Sequence, residues 1–371
     1  MRKSSARRDH FLSMSLGSVI LAFCGFAVVL WLLRENDYRV VLHTVAGVGG
    51  GLAIVVVIRG TIIATCGLAW WSLLRSVAAV RVGVALGLRT VREAINVLLP
   101  VASVGGDVVR ARMLNFSGVA GGVAVASASV DLLLDVAGQA LFALIGLVLL
   151  TQVAGSTEMA SWAAGGLGIA ALAVGGFYAV QRFGGAIIVE RALSALARHW
   201  PAAALGSGIR LHASLQAIYA DRPAIVVAFS LHELAWLLGA LETWMALWLI
   251  GVPVSLTEAV ILETLTQALR AAAFPVPSAL GVQEGGFTVL GALFGIPPEA
   301  ALALSFVKRV PDLAIGLPGL LAWYWLEMRR LLPTPAGVPP PGPHPLRAAL
   351  RANGPQTTGG TFIQQADDQH G

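Results

Sequence analysis

The sequence is poor in charged residues. Asp, Glu, Lys and Arg make up 12% of its 371 residues, whereas about a quarter of the residues in soluble globular proteins are charged. Hydrophobic residues make up 57%, and the mean hydropathy is +0.78. This composition argues against a cytosolic enzyme and predicts a protein that lies in a lipid bilayer.

Cysteine is scarce as well. The two cysteines, Cys24 and Cys66, both lie in apolar runs, where a cysteine ordinarily acts as a small hydrophobic residue. A disulfide is therefore not predicted. The net charge of +5 does not indicate nucleic-acid binding, because the basic residues flank apolar runs and form no stripe interleaved with aromatic residues.

Sequence motifs of the common catalytic sites are missing. The sequence has no Gly-Lys-Ser/Thr phosphate loop, no Gly-x-Ser-x-Gly elbow and no cluster of metal ligands. The stretch from His232 to Trp236 lacks the second histidine of a zinc-protease helix. We therefore expect neither an enzyme nor an ATP-driven pump, and no cofactor or metal.

Long apolar runs dominate what is present. About 18 such residues suffice for a helix to cross a membrane, so we predict an all-α, polytopic transmembrane bundle with about eight spans, some of them broken. The spans are 16–33, 45–74, 119–150, 162–180, 224–250, 256–274, 286–294 with its flanks, and 304–326.

Charge between the spans predicts the topology. The basic N-terminal residues 1–15, an even number of spans and the pair Arg329 and Arg330 place both termini in the cytoplasm. Residues 16–330 form the transmembrane domain, in which 181–223 is a polar connector on the cytoplasmic side. Residues 331–371 are a proline-rich tail that we expect to be disordered.

The most informative segment runs from Phe274 to Phe287. Pro275, Pro277, three glycines and the pair Gln283 and Glu284 interrupt strongly apolar sequence. Proline breaks the hydrogen bonds of a helix, and irregular backbone is not tolerated against lipid. We therefore predict a broken or re-entrant helix that lines a cavity within the protein.

A similar segment occurs earlier, from Pro100 to Asp107. A shift of 175 positions superposes Pro100 on Pro275 and also aligns a valine, a serine and a glycine. Matching interruptions in two halves mark the substrate site of many transporters. Four matches in seven positions are also within the reach of chance in so Gly- and Pro-rich a sequence, so the sequence leaves an internal repeat open.

Several ionisable residues fall inside apolar runs and are expected to face the protein interior. Asp107 and Arg110 lie beside the first interruption, either as part of a lipid site or as a simple pair at a helix end. Spacing places three groups on common helix faces: Asp131 with Asp135; Glu263 with Gln267 and Arg270; and Lys308 with Asp312, the last predicted as an internal salt bridge.

These segments resemble the flippase-like membrane domain of lysylphosphatidylglycerol synthases over about 16–326. Within that superfamily the stretches 232–236, 267–277 and 281–287 are similar to hopanoid-biosynthesis-associated membrane proteins of the HpnL type. The usual pattern has glycine after the second proline, where this chain has Ser278. The residues carried over with the motif are Gly281, Glu284, Gly285 and Gly286, and more loosely Gly106, Asp107 and Arg110.

The resemblance implies a multi-pass protein of the bacterial inner membrane that moves or handles an amphiphilic lipid, without the aminoacyl-transferase domain of the larger relatives. We predict a translocase for a hopanoid or an associated anionic phospholipid. The alternative is a non-transporting membrane partner or regulator of hopanoid-modifying or phospholipid-modifying enzymes. The candidate lipid-binding residues are Pro100, Gly105, Gly106, Asp107, Arg110, Glu263, Gln267, Arg270, Pro275, Pro277, Gly281, Gln283, Glu284, Gly285, Gly286, Lys308 and Asp312.

Overall fold

Helices make up the regular structure of the part of the chain that the structure describes. The structure, a computed structural model, describes residues 16–99, 105–154, 175–176, 178–179, 208–273 and 276–331. No strand occurs in these ranges, so the predicted all-α class is confirmed there. The N-terminal segment 1–15, the predicted span 162–180 apart from four residues, most of the connector 181–223, the tail beyond 331, and both Pro100 and Pro275 lie outside the described residues.

Eleven α-helices are defined within these ranges. They are α1 (Leu16–Glu35), α2 (Tyr38–Val48), α3 (Leu52–Leu74), α4 (Val82–Leu98), α5 (Gly105–Phe116), α6 (Gly121–Ala154), α7 (Gly208–Ala220), α8 (Arg222–Ile250), α9 (Leu256–Ala272), α10 (Val282–Ala292) and α11 (Pro298–Leu331). Two short 3₁₀ helices, Gly49–Gly51 and Pro277–Ala279, lie between α2 and α3 and between α9 and α10.

Local sequence sets the ends of several helices. The Asp221 side chain accepts a hydrogen bond from the Ala224 N–H at the start of α8, and Gly251 ends that helix with φ 89°. Ser255 and Glu258 form a reciprocal capping box at the start of α9. Such caps satisfy backbone groups that the first and last turns of a helix leave unpaired.

Three helical stretches in the described ranges are long and apolar enough to cross a membrane. They are Tyr38–Leu74, which joins α2 to α3, Gly121–Val153 and Arg222–Ile250. They coincide with three of the predicted spans, 45–74, 119–150 and 224–250. The total of about eight spans and the cytoplasmic location of both termini stay predictions.

The long helices pack along one another through small residues. Helix α3 packs against α8 and α4, while α6 packs against α7, α8 and α9. At one crossing a Cβ on Gly67 of α3 would lie 2.7 Å from the Leu86 side chain of α4. At another, Gly146 of α6 is in direct contact with Thr264 of α9. Small residues allow this approach of helices inside a bilayer, where packing rather than water exclusion drives association.

The order of helices repeats along the chain. A shift of 175 positions places α2 to α6 on α7 to α11, with helix ends that agree within about five positions and, from α4 onward, within about two. The two interruptions fall at the same point of this order, between α4 and α5 and between α9 and α10. The agreement of five consecutive helices supports the internal repeat that the sequence left open.

The chain divides into two units, of which the first ends at Tyr324 and the second begins at Trp325. The described part of the second unit is the end of α11. There the Arg329 guanidinium lies 3.5 Å from the centre of the Trp325 ring, a cation–π contact.

Candidate functional site

The helices are interrupted at both of the predicted places. Helix α4 ends at Leu98 and α5 begins at Gly105; helix α9 ends at Ala272 and α10 begins at Val282. We call these the first break and the second break. Each is followed by a helix with a carboxylate in its first turn, Asp107 in α5 and Glu284 in α10.

Helix α1 lies directly against the second break. A Cβ on Gly25 would lie 2.5 Å from the Leu280 carbonyl oxygen, and one on Gly281 would lie 2.9 Å from both the Gly25 oxygen and the Val28 Cβ. Gly281 also has φ 79°, a conformation that favours glycine. Glycine is thus required at 281 for two independent reasons, whereas a Cβ on Gly285 would meet nothing within 4 Å.

Ser278 joins the two breaks. Its hydroxyl donates a hydrogen bond to the carbonyl of Val97 in the last turn of α4, a group that the helix itself leaves unpaired. Ser278 has φ 55° and Ala279 has φ 47°, so non-glycine residues occupy the left-handed region here. A glycine at position 278 would adopt this conformation with less strain than serine does.

The first break is held by α4. Gly106 lies in direct contact with the backbone oxygen of Arg92, and its N–H donates to the Asn96 side chain at 2.8 Å. Gly105 begins α5 beside it. Gly106 thus permits a close approach of two helices, and its part in a lipid site stays a prediction.

Glu284 ties the second break to α11. Its fully buried carboxylate accepts hydrogen bonds from the Gly281 N–H at 2.8 Å, from Ser305 at 3.0 Å and from Arg309 at 2.8 Å. Gln283 donates to the same Ser305 hydroxyl at 2.8 Å. The charge of Glu284 is thereby compensated, as burial of a carboxylate demands.

Asp131 of α6 is the centre of a second cluster, the Asp131 cluster, formed with α4, α5 and α8. Its buried carboxylate lies 2.6 Å from the Arg110 guanidinium, 3.4 Å from that of Arg89 and 3.0 Å from His232 Nε2. The Arg110 guanidinium also lies 4.6 Å from the centre of the Trp70 ring. One carboxylate thus anchors side chains from three neighbouring helices.

Asp107 and Asp135 complete this cluster. Asp107 pairs with Arg110 at 2.7 Å and with Arg92 at 3.3 Å. The pair with Arg110 is one of the two arrangements that the sequence left open, and the role of Asp107 in a lipid site stays a prediction. Asp135, one turn after Asp131, lies 3.6 Å from Arg89. Both carboxylates contact Arg89, so the prediction that Asp131 and Asp135 share one face of the helix is confirmed.

A third cluster, the Lys308 cluster, forms where α3, α8, α9 and α11 meet. The Lys308 ammonium lies 2.6 Å from Glu263 and donates to the Thr243 hydroxyl at 2.6 Å. Gln267 donates to Glu263 at 2.8 Å. The neighbouring Glu242 carboxylate lies 2.9 Å from Arg59 and 3.6 Å from Lys308.

The predicted pair of Lys308 and Asp312 is wrong. The two residues lie one turn apart on α11, but no ion pair joins them within the described ranges, and the Lys308 ammonium lies 2.6 Å from Glu263 of α9. Asp312 instead lines a small cleft with Arg59 and Glu93. Arg270, the third member of the predicted stripe, forms no ion pair within the described ranges.

Corresponding helices of the two halves form these ion pairs with opposite sign. Arg110 of α5 pairs with Asp131 of α6, whereas Glu284 of α10 pairs with Arg309 of α11. Likewise Arg89 of α4 pairs with Asp131 of α6, whereas Glu263 of α9 pairs with Lys308 of α11. The shared helix order therefore places ion pairs at the same helix contacts, while the direction of charge is reversed.

Sequence reasoning does not single out three arginines of these clusters, Arg59, Arg89 and Arg92. Arg89 and Arg92 point into the Asp131 cluster, where Arg89 is 4% exposed. Arg59 pairs with Glu242 in the Lys308 cluster. The available signal was the spacing of Arg89 and Arg92, which puts both on the face of α4 that the buried Leu88 and Ile95 share.

Residues 15–319 match the family described as lysylphosphatidylglycerol synthase TM region. Neither the curated proteins nor the solved structures give a significant match. In the described ranges, no group of three or more His, Cys, Asp or Glu side chains is arranged to hold a metal ion.

Proposed function

Because the chain belongs to the family of lysylphosphatidylglycerol synthase transmembrane regions and is a membrane protein, we propose that it moves an amphiphilic lipid across the bacterial inner membrane. The proposed lipid is a hopanoid or an anionic phospholipid associated with hopanoids, and both termini are proposed to be cytoplasmic. The link to hopanoids comes from the resemblance of the motifs at 232–236, 267–277 and 281–287.

The observation that carries the proposal is the meeting of the two breaks. Ser278 of the second break is bonded to the end of α4 at the first, and a buried carboxylate follows each break. Free helix ends carry unpaired backbone groups and a partial charge. Together they supply the polar surroundings that a lipid head group needs when it leaves the membrane surface.

The ion-pair clusters supply exchangeable partners along this region. A head group that carries a phosphate can compete for Arg110 or Arg309, while their carboxylates keep the arginines compensated when no lipid is bound. In this mechanism the protein lowers the barrier for passage of the head group and couples to no nucleotide.

The test is lipid exchange in proteoliposomes. Purified protein is reconstituted with a fluorescent phosphatidylglycerol, and loss of fluorescence after addition of a membrane-impermeant reductant reports transfer between leaflets. We expect wild type to exceed protein-free vesicles, and Glu284→Gln and Asp107→Asn to lose most of that excess, because each removes the charge beside a break.

Glu35→Gln is the matched control, since Glu35 is an exposed carboxylate at the end of α1. Equal transfer by wild type and protein-free vesicles would contradict a translocase and favour the non-transporting partner of lipid-modifying enzymes. Normal transfer by both break variants would show that the path lies elsewhere.

A further inference from the structure

A buried histidine lies between two carboxylates where α8 meets α6. His232 of α8 is 0% exposed. Its Nε2 atom lies 3.0 Å from an oxygen of Asp131, and its Nδ1 atom lies 3.5 Å from an oxygen of Asp135. Both ring nitrogens therefore face a group that, when ionised, only accepts hydrogen bonds. The lipid path described above gives this ring no task.

The two carboxylates select the charged form of the ring. A neutral imidazole has one N–H donor and one lone pair, so in either tautomer the lone pair would point at a carboxylate oxygen. The imidazolium has a donor on each nitrogen and compensates both carboxylates. Its Nε2 makes a hydrogen bond to Asp131, and its Nδ1 makes a longer ionic contact with Asp135.

Charge balance in the Asp131 cluster and its neighbour Glu93 requires the same proton. Within the described ranges, ion pairs join three guanidinium groups to four carboxylates: Arg89, Arg92 and Arg110 to Asp107, Asp131, Asp135 and Glu93. With a neutral ring these groups would carry one net negative charge, and with an imidazolium they carry none. A net charge away from water is costly, so the balanced cluster holds one proton on His232.

Charged and titratable groups from five helices surround the ring. They are Cys66 of α3, Arg89 of α4, Arg110 of α5, Asp131 and Asp135 of α6, and the adjacent Glu233 of α8. The side chain of Asp135 is 16% exposed, so this carboxylate connects the buried ring to the outside. A proton needs no cavity: it binds to the Asp135 carboxylate, passes to Nδ1 of the ring, and leaves by the reverse steps.

We propose that His232, held between Asp131 and Asp135, binds a proton that crosses the membrane together with an anionic phospholipid. A phosphate head group that takes a guanidinium group from this cluster adds one negative charge to it, so the proton is held more firmly while the lipid is bound. By linkage, the protonated cluster in turn binds the anion more tightly. Lipid and proton then move as a pair that carries no net charge.

This inference rests on the proposed function, because it names the anionic phospholipid as the lipid that is moved and the proton as the coupled ion. It uses the guanidinium groups for which a phosphate competes in that mechanism. It adds a buried group that changes its charge when the lipid is released.

The leaflet distribution of a lipid under a pH gradient tests the coupling. Proteoliposomes contain fluorescent phosphatidylglycerol, and valinomycin with equal potassium on both sides holds the membrane potential near zero. When the interior is more alkaline by about one pH unit, one proton per lipid should concentrate the label about tenfold in the inner leaflet. This should occur before protein-free vesicles change. Fluorescent phosphatidylcholine, which carries no net charge, should stay evenly distributed.

Three variants assign the coupling to the ring. His232→Gln keeps a polar side chain but cannot bind a proton, so it should lose the imbalance. Asp135→Asn removes one of the two carboxylates and leaves Asp131 in place, so it should reduce the imbalance several-fold in folded protein. His43→Gln is the matched control at an exposed histidine of α2 and should keep the imbalance.

Lipid binding at different pH gives an independent measurement. Full-length protein in phosphatidylcholine nanodiscs is titrated with phosphatidylglycerol from about pH 6 to about pH 10. The imidazolium favours the anion, so the affinity should be highest at low pH and fall about tenfold as the pH rises and the ring loses its proton. His232→Gln should lack this fall, and His43→Gln should show it.

Several outcomes would overturn the proton site. One is wild-type protein that equilibrates phosphatidylglycerol at equal pH but builds no imbalance under the gradient. Another is an imbalance, or a fall in affinity, that survives His232→Gln; if that variant does not fold, an undiminished imbalance in Asp135→Asn has the same meaning. Transfer without imbalance contradicts the proton site alone. A fall in affinity that depends on His232, in protein that transfers no lipid, contradicts the translocase alone.

Discussion

The Asp131 cluster and the Lys308 cluster occupy comparable places in the two halves but use opposite charges. In the first half a carboxylate on α6 holds cations from α4 and α5; in the second half cations on α11 hold carboxylates from α9 and α10. The comparison shows what burial demands. A buried charge must be paired with a charge of opposite sign, but either helix of a contacting pair can carry either sign.

The clusters also differ in how many partners share the central group. The single carboxylate of Asp131 contacts Arg110, Arg89 and His232. Lys308 contacts two carboxylates, Glu242 and Glu263, and also the Thr243 hydroxyl; Arg59 pairs with the first of these carboxylates. Loss of Asp131 therefore removes a contact from three side chains at once, and only Asp107 and Asp135 remain to compensate them, whereas loss of Lys308 leaves Glu263 as the one carboxylate of that cluster without a cation in the described ranges.

The largest effect is expected from Asp131→Asn. The substitution removes the carboxylate that Arg110 and Arg89 share and leaves them only Asp107 and Asp135. Breaking a buried ion pair typically costs about 3–5 kcal/mol. Thermal unfolding of purified protein in detergent should show a large loss of stability or no folded protein at all. A loss below about 1 kcal/mol would mean that the cluster is more hydrated than the burial of Asp131 indicates.

A smaller effect is expected from Lys308→Met, because Arg59 still compensates Glu242. The single variant should lose about 2–3 kcal/mol, and the added change Glu263→Gln should restore part of the loss by removing the carboxylate left unpaired. Unfolding of the two single variants and the double variant gives the coupling energy. Strictly additive losses would contradict the pairing of Lys308 with Glu263.

At the second break, Gly281→Ala should cost more than Gly285→Ala. A side chain at 281 must adopt a positive φ and meet α1, at a cost of about 1–3 kcal/mol, whereas 285 has open space around its Cβ position. Gly281→Leu should abolish leaflet transfer in protein that still inserts. Equal stability of the two alanine variants would show that α1 does not press on the break.

The smallest expected effect distinguishes the two roles of Ser278. Ser278→Ala loses the hydrogen bond to Val97 and keeps the positive φ, so it should lose about 1 kcal/mol. Ser278→Gly loses the same bond but relieves the backbone, so its stability should lie within about 0.5 kcal/mol of wild type. Unfolding midpoints of both variants measure this, and a glycine variant weaker than the alanine variant would contradict the account.

The sequence predicted the helical class, three of the membrane-crossing stretches and both breaks. Hydropathy is a local property of about 20 residues, and proline removes a backbone donor wherever it stands, so these features need no knowledge of the fold. The motif at 281–287 likewise identified Gly281 and Glu284, although only the structure shows that α1 supplies the close contact at Gly281.

The partners of the buried charges were decided by the tertiary structure. Helical spacing suggested Asp312 for Lys308, yet Glu263 on α9, 45 positions away along the chain, is the partner. Arg89 and Arg92 of α4 turn inward because α6 brings the carboxylates of Asp131 and Asp135 to that helix. Sequence sets which residues are charged and which face of a helix they share. The side-by-side packing of helices distant in sequence then selects the partner, because a charge that cannot reach water must be compensated by whatever stands beside it.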